Sequence, residues 1–199
     1  MHIEMCGIPR SGSTLVWQIL CAVFPDQEIL KTHPDCFIGK GAIIVSTIRD
    51  PYDVVASAVR VRLSRGQKKE IEDIDVEIVL EKTGFDFDLL KEILKGPSTP
   101  VLRYENFYNN YDFIYRMIEI YFDIKIPGIV KKFITEKFSL KNNQIRADAL
   151  ENFNQVDEYH IHGDHIGYVI PGYWNYYFCE KHIQSIKTFC DPLRKEWGY

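Results

Sequence analysis

The chain has 199 residues, 46% hydrophobic and 26% charged, which is enough length for one domain with a full core and too apolar for a disordered chain. Its 24 Lys and Arg against 28 Asp and Glu give a formal net charge of −4, which excludes a general electrostatic footprint for nucleic acid and leaves any anionic partner to a few local cations. Five cysteines without a C-x-x-C pair fit free thiols in a reducing compartment, and with neither an apolar run of ~18 residues nor a signal-type segment the expectation is a soluble, cytoplasmic protein, one domain over 1–199, with no membrane partner.

The first run, 2–6 (HIEMC), alternates and predicts a strand, and the apolar-periodic run 15–24 predicts a helix. Between them lie Gly7, Pro9, Arg10, Ser11, Gly12, Ser13 and Thr14. A strand, a small-residue loop and a helix N-terminus make an anion site. The first helical N–H groups lack an intrahelical partner, and the dipole favours negative charge there. Glycine lets the backbone approach a phosphate, and the hydroxyls of Ser11, Ser13 and Thr14 add donors. The spacing resembles a Walker A loop at Gly7, Gly12 and Thr14, but the lysine position holds Ser13 and the positive charge sits inside the loop at Arg10. This argues for a phosphate-like ligand and against an ordinary ATPase or kinase.

A second strand over 27–32 leads to Lys31, Thr32, His33 and Pro34, followed by a loop over 35–41. The continuous β-branched run 42–48 (AIIVSTI) reads as a buried parallel strand. It ends at Arg49. Asp50 then suits an N-cap, Pro51 suits N1, and Asp53 adds first-turn charge to a helix that continues through 62. Ser57 falls two turns beyond Asp50. Strands alternating with helices predict an α/β, three-layer, P-loop-like fold, with a central parallel sheet of about four to five strands flanked by helices and ligands at the strands' carboxyl ends. Arg10, His33 and Arg49 each follow a strand end, so three basic residues converge on one rim.

Further on, 68–82 predicts an amphipathic helix with Ile71, Ile74 and Ile78 on one stripe, and 85–94 another helix that ends at the breaker 96–100. A fourth strand is expected over 101–104, helices over 106–122 and 127–138, a polar lid or helix over 141–154, and a closing amphipathic helix over 178–196.

In order and spacing, these residues resemble the sulfotransferase family that uses 3′-phosphoadenosine 5′-phosphosulfate (PAPS). The stretch 9–14 (PRSGST) is similar to the family's 5′-phosphosulfate loop, P-[KR]-S-G-[ST]-T. Arg49 and Ser57, in RDPYDVVAS, resemble its 3′-phosphate motif, an Arg with a Ser eight residues on. Lys31-Thr32-His33 resembles its K-[ST]-H, and Tyr104-Glu105-Asn106 its Y-E-[DN] near the adenine. The likeness covers 1–62 and 100–107. It implies sulfuryl transfer from PAPS to a hydroxyl or amine of an unidentified acceptor, releasing 3′-phosphoadenosine 5′-phosphate (PAP), without a metal. It further implies His33 as general base, with Arg10 and Lys31 acting on the sulfuryl group. Pro9, Arg10, Ser11, Gly12, Ser13 and Thr14 would hold the 5′ end, Arg49 and Ser57 the 3′-phosphate, and Tyr104 would lie beside the adenine.

The sequence also departs from the family. The adenine-stacking Trp after the loop threonine is Leu15, and Trp17 lies elsewhere on the helix. The basic C-terminal loop, R-K-G-x-x-G, looks replaced by His165, Ile166 and Gly167, followed by Pro171, Gly172, Tyr173 and Trp174. His165 and Gly167 are then expected near the 3′-phosphate, and Arg146 is a candidate replacement for the lost cations. The short interval before Lys31 removes much of the cytosolic enzymes' acceptor pocket. One stretch, His160 to His165 (HIHGDH), resembles a metallo-hydrolase zinc motif, but further downstream ligands are lacking and a loop closing over the nucleotide is the preferred reading. A P-loop kinase or hydrolase and a non-catalytic nucleotide-binding module remain as alternatives.

Overall fold

Residues 1–64, 75–96, 99–163, 166, 170–176, 178 and 180–199 are described in the structure, a computed structural model. The strands β1 (His2–Gly7), β2 (Glu28–Thr32), β3 (Ile43–Ile48) and β4 (Val101–Arg103) form one sheet in the order β2-β1-β3-β4. All neighbours are parallel, and the register aligns their carboxyl ends: Cys6 with Thr32, Gly7 with Thr47, and Ile48 with Arg103.

Alternation along β1 assigns the two faces. Ile3 and Met5 pack with Val16, Ile19 and Leu20 of α1 (Ser13–Val23) and with Ile114 and Ile118 of α5 (Tyr111–Tyr121). Cys6 packs the other way, with Val54 of α2 (Pro51–Ser64) and Phe87 and Leu90 of α3 (Val76–Ile93). Outside these, Ile186 and Cys190 of α8 (Glu180–Trp197) join Val55, Val59 and Val79 in a second cluster on that side. The result is helices on both faces of a parallel sheet, as the alternating pattern predicts. Between β4 and α8 run α4 (Tyr104–Phe107), α5, α6 (Gly128–Lys137) and α7 (Leu140–Asp148).

Several expectations need correcting. The runs expected to be two helices, over 68–82 and 85–94, are one continuous helix from Val76. Gly84 sits inside it because Phe189 of α8 packs against that spot, where a Cβ would come within 2.7 Å of the ring. This glycine serves close helix approach rather than a break. Residues 68–74, with Ile71 and Ile74, lie outside the described residues. Ile78 is 49% exposed, and the buried stripe is instead Val76, Val79, Leu80, Phe87 and Leu90. Tyr104 opens α4 rather than closing β4, and the helix expected over 106–122 is divided between α4 and α5.

Two features lock the carboxyl-end rim. Glu4, fully buried, accepts hydrogen bonds from Thr32 Oγ1 (2.8 Å), Ile38 N (2.9 Å) and Gly39 N (2.7 Å), which ties down the chain that follows His33. Gly12, at the start of α1, is left-handed at φ 79°, and a Cβ there would lie 2.7 Å from Tyr104 and 2.9 Å from Phe107. Gly12→Ala is therefore expected to cost about 2–4 kcal/mol, from backbone strain plus overpacking. A urea-unfolding midpoint equal to the parent protein's would contradict this.

Candidate active site at the carboxyl ends of the strands

The loop after β1 is held from inside. Ile8 N donates to Thr47 O (3.3 Å), and Ser11 N donates to Ile8 O (3.1 Å). The Ser11 hydroxyl donates to Ile8 O (2.6 Å) and lies 2.5 Å from Thr47 Oγ1. Ser11 is fully buried, so its hydroxyl shapes the loop. Val16 N is the first α1 donor to reach back, to Gly12 O (3.3 Å); the N–H groups of Ser13, Thr14 and Leu15 belong to the turn that α-helical geometry leaves open. Arg10 has φ 72°, a conformation that costs an L-residue roughly 1–2 kcal/mol. Its guanidinium lies 5.1 Å from the Phe153 ring centroid.

Three cavities border this rim. The first, about 800 Å³ with its open mouth, covers the start of α1 and is lined by Arg10, Gly12, Thr14, Arg49, Ser57 and Tyr104, among others. Leu15, Tyr108 and Tyr111 add a mainly apolar, aromatic wall. Trp17 is not part of it: its indole donates to Ile29 O (3.0 Å) and its ring meets His160 edge-on at 4.5 Å. A smaller annex of about 260 Å³ shares Arg49, Ser57 and Arg60 with the first cavity and is closed by Tyr173 and Trp174. The third, about 920 Å³, is lined by Pro9, Arg10 and His33 at one end and by Val54, Ala58 and Val79 along α2 and α3. Arg10 borders both large cavities.

His33 follows β2, and its Nδ1 lies 3.0 Å from Gly7 O. A carbonyl can only accept, so Nδ1 carries the hydrogen and Nε2 keeps the lone pair. Burial pushes the imidazole pKa below its ordinary 6.5, and Lys31 adds to the shift; the Gly7 carbonyl and the carboxylates of Asp35 and Asp86 oppose it. Lys31 is itself pushed down to about 8, first by burial and then by the charge of Arg10. It borders no described cavity, but its field acts on Arg10, His33 and His160.

Arg49, only 5% exposed, is held flat by its neighbours. Its guanidinium stacks 4.3 Å from the Tyr104 ring centroid, donates to Arg10 O (3.4 Å) and pairs with Asp53 (3.4 Å). Its buried Nε has no acceptor among the described residues. Tyr52 N donates to Asp50 Oδ1 (3.0 Å), confirming the cap of α2, and Glu105 accepts from Asp50 N (2.9 Å), joining the ends of β3 and β4. Glu105 thus braces the rim while Tyr104 faces the cavity.

The C-terminal half reaches the site only in part. His165 and Gly167 lie outside the described residues; Ile166, between them, lines the first cavity. Arg146 does not line it. It donates to Asn143 Oδ1 (2.7 Å) and stacks on Tyr159, 4.7 Å from the ring centroid, and it is Asn143 that borders the cavity. His160 packs on Trp17, and His162 stacks on Phe153 with its Nδ1 3.0 Å from Phe153 O. Among the described residues no group of three His, Cys, Asp or Glu stands together as for a metal ion, and no helix is long and apolar enough to cross a membrane. The residues that motif reasoning missed are Arg60, Tyr108 and Tyr111. The signal for Arg60 was present, since it stands one helical turn beyond Ser57.

No protein-family model and no curated protein matches the sequence. Solved structures do. A mouse sulfotransferase, SULT7A1, complexed with PAP superposes with a TM-score of 0.68 at 14% identity, covering 94% of this chain and 82% of that one. Retinol dehydratase with androsterone and the inactive cofactor PAP gives 0.71 at 14% identity, covering 98% and 80%. The same enzyme's complex with retinol and PAP gives 0.67 at 16% identity, covering 98% and 81%. The chain has the sulfotransferase fold.

Proposed function

We propose that this protein is a sulfotransferase that moves a sulfuryl group from PAPS to a hydroxyl or amine of an acceptor. The observation that carries the reading is the position of Arg10. It borders both a basic cavity at the N-terminus of α1 and a second cavity that His33 lines, with the His33 Nδ1 hydrogen held by Gly7 O. The residues present suit the nucleotide. The left-handed Gly12 opens α1 with no side chain in the way, and the buried guanidinium of Arg49 retains an unsatisfied donor.

PAPS supplies a sulfuryl group on a phosphate leaving group. In this reading Nε2 of His33 takes the acceptor's proton as the acceptor oxygen or nitrogen bonds to sulfur. The bond between sulfur and the bridging oxygen breaks in line, and PAP departs. Arg10 and the N–H groups of Ser13, Thr14 and Leu15 meet the charge that develops on the bridging and equatorial oxygens, an electrostatic contribution that a buried rim strengthens. Lys31 adds positive potential to the sulfuryl site through the field it exerts on Arg10 and His33. Arg49 and Ser57 receive the 3′-phosphate, and the tyrosine wall with Leu15 stands in for a stacking tryptophan. The acceptor occupies the cavity between α2 and α3.

Calorimetric titration with PAP, ADP and ATP in metal-free buffer tests the reading. Micromolar PAP binding with ADP and ATP much weaker supports it. Mg²⁺-dependent ATP consumption would replace it with a kinase or hydrolase.

The charge state of Lys31 gives a second check. Its free pKa is about 8. An anion bound nearby raises that value, so binding above pH ~8 takes up a proton, and PAP affinity is level from neutral pH, where the phosphates are ionised, to pH ~8 and falls above it. Lys31→Met should flatten the profile. A wild-type affinity that is unchanged through this range would place Lys31 outside the site.

A further inference from the structure

The 3′-phosphate seat is short of positive charge if Arg49 is its only cation. A phosphate monoester brings close to two negative charges at neutral pH. Arg49 is already paired with Asp53, whose side chain is 1% exposed. That carboxylate cannot swing away cheaply, because it also accepts from Gly172 N (2.8 Å) and Trp174 N (3.3 Å), and Trp174 is clamped by its stack on Tyr52 at 4.2 Å and 14°. The pair is close to neutral as a unit.

The next cation on the same wall is Arg60. It lies one turn beyond Ser57 and two turns beyond Asp53 on α2, so helical periodicity brings it to the same stripe. It borders the first cavity and the annex together with Arg49 and Ser57. A guanidinium in that position offers a planar fork of donors suited to phosphate oxygens. We propose that Arg60 is the second cation of the 3′-phosphate seat, binding the phosphate monoester together with Arg49 and Ser57 and supplying charge from α2. The inference rests on the nucleotide reading above and adds a residue to it.

The test titrates PAP and adenosine 5′-phosphate, which lacks the 3′-phosphate, into the full chain and into Arg60→Ala and Arg60→Gln. Both variants are expected to lose PAP affinity by about 10- to 100-fold and to bind adenosine 5′-phosphate as the parent does. Adenosine 5′-phosphate binding also reports that the variants are folded. Unchanged PAP affinity, or an equal loss for both nucleotides, overturns the assignment of Arg60 while the nucleotide reading stands. A parent protein that binds PAP no better than adenosine 5′-phosphate overturns the 3′-phosphate reading itself, and the inference falls with it.

Discussion

His33→Ala is expected to lower turnover by about 10²- to 10⁴-fold while leaving PAP affinity unchanged. The split follows from geometry. His33 lines the cavity beside α2 and α3 and does not line the cavity at the start of α1 that the proposed function gives to the nucleotide, so on that reading its loss removes a proton acceptor and no nucleotide contact. PAP formation from PAPS, measured with an acceptor drawn from a panel of phenols, alcohols and amines, gives the turnover. Comparable turnover in the variant would remove His33 as the base. The pH profile has a defined sign. The working form is neutral, so the rate rises with pH through the imidazole pKa. Burial holds that value below 6.5, so the rise is centred below the ordinary histidine range. Folding follows the same linkage: the folded state disfavours the charged ring. Stability therefore falls as pH drops below the unfolded value and levels off below the folded one. His33→Ala removes that part of the acid sensitivity.

Arg10→Gly is expected to separate activity from stability. Turnover should fall by about 10²- to 10³-fold, because the charge that the proposed mechanism sets against the sulfuryl oxygens is lost. Stability should stay within about 1 kcal/mol of the parent, since glycine relieves the strain at φ 72° while adding freedom to the unfolded chain. Arg10→Ala keeps the strain and loses the same charge, so it should be equally inactive and less stable than the glycine variant. Thermal melts beside PAP-formation assays make the comparison. A glycine variant with near-parental turnover would show that Arg10 serves the loop's shape alone.

The rim itself was legible because its determinants are local. A left-handed glycine opening a helix, an Asp-Pro cap on α2 and a β-branched run that must be buried are each specified within a few residues. So the ends of the first three strands and the residues that follow them, Gly7 to Thr14, His33 and Arg49, could be placed from spacing, while Tyr104, expected inside the fourth strand, opens α4 instead. The parallel sheet followed from the alternation of strands and helices. What a residue's donors do was not legible in the same way. Ser11 and Ser13 look alike in a motif, yet the Ser11 hydroxyl is bound to Ile8 and Thr47, a partner on β3 that no local pattern names. Glycine is a poor helix former, and only the packing of Phe189 reveals why α3 runs through Gly84. Likewise the neutralisation of Arg49 by Asp53 depends on backbone N–H groups from Gly172 and Trp174, more than a hundred residues along the chain. The sequence by itself determined which chemistry-bearing residues stand at the strand ends, since strand, turn and cap signals are short-range. The tertiary structure alone decided which of their charges are already balanced, which tautomer His33 holds and which cavities Arg10 borders, since burial, packing and long-range hydrogen bonds set those properties.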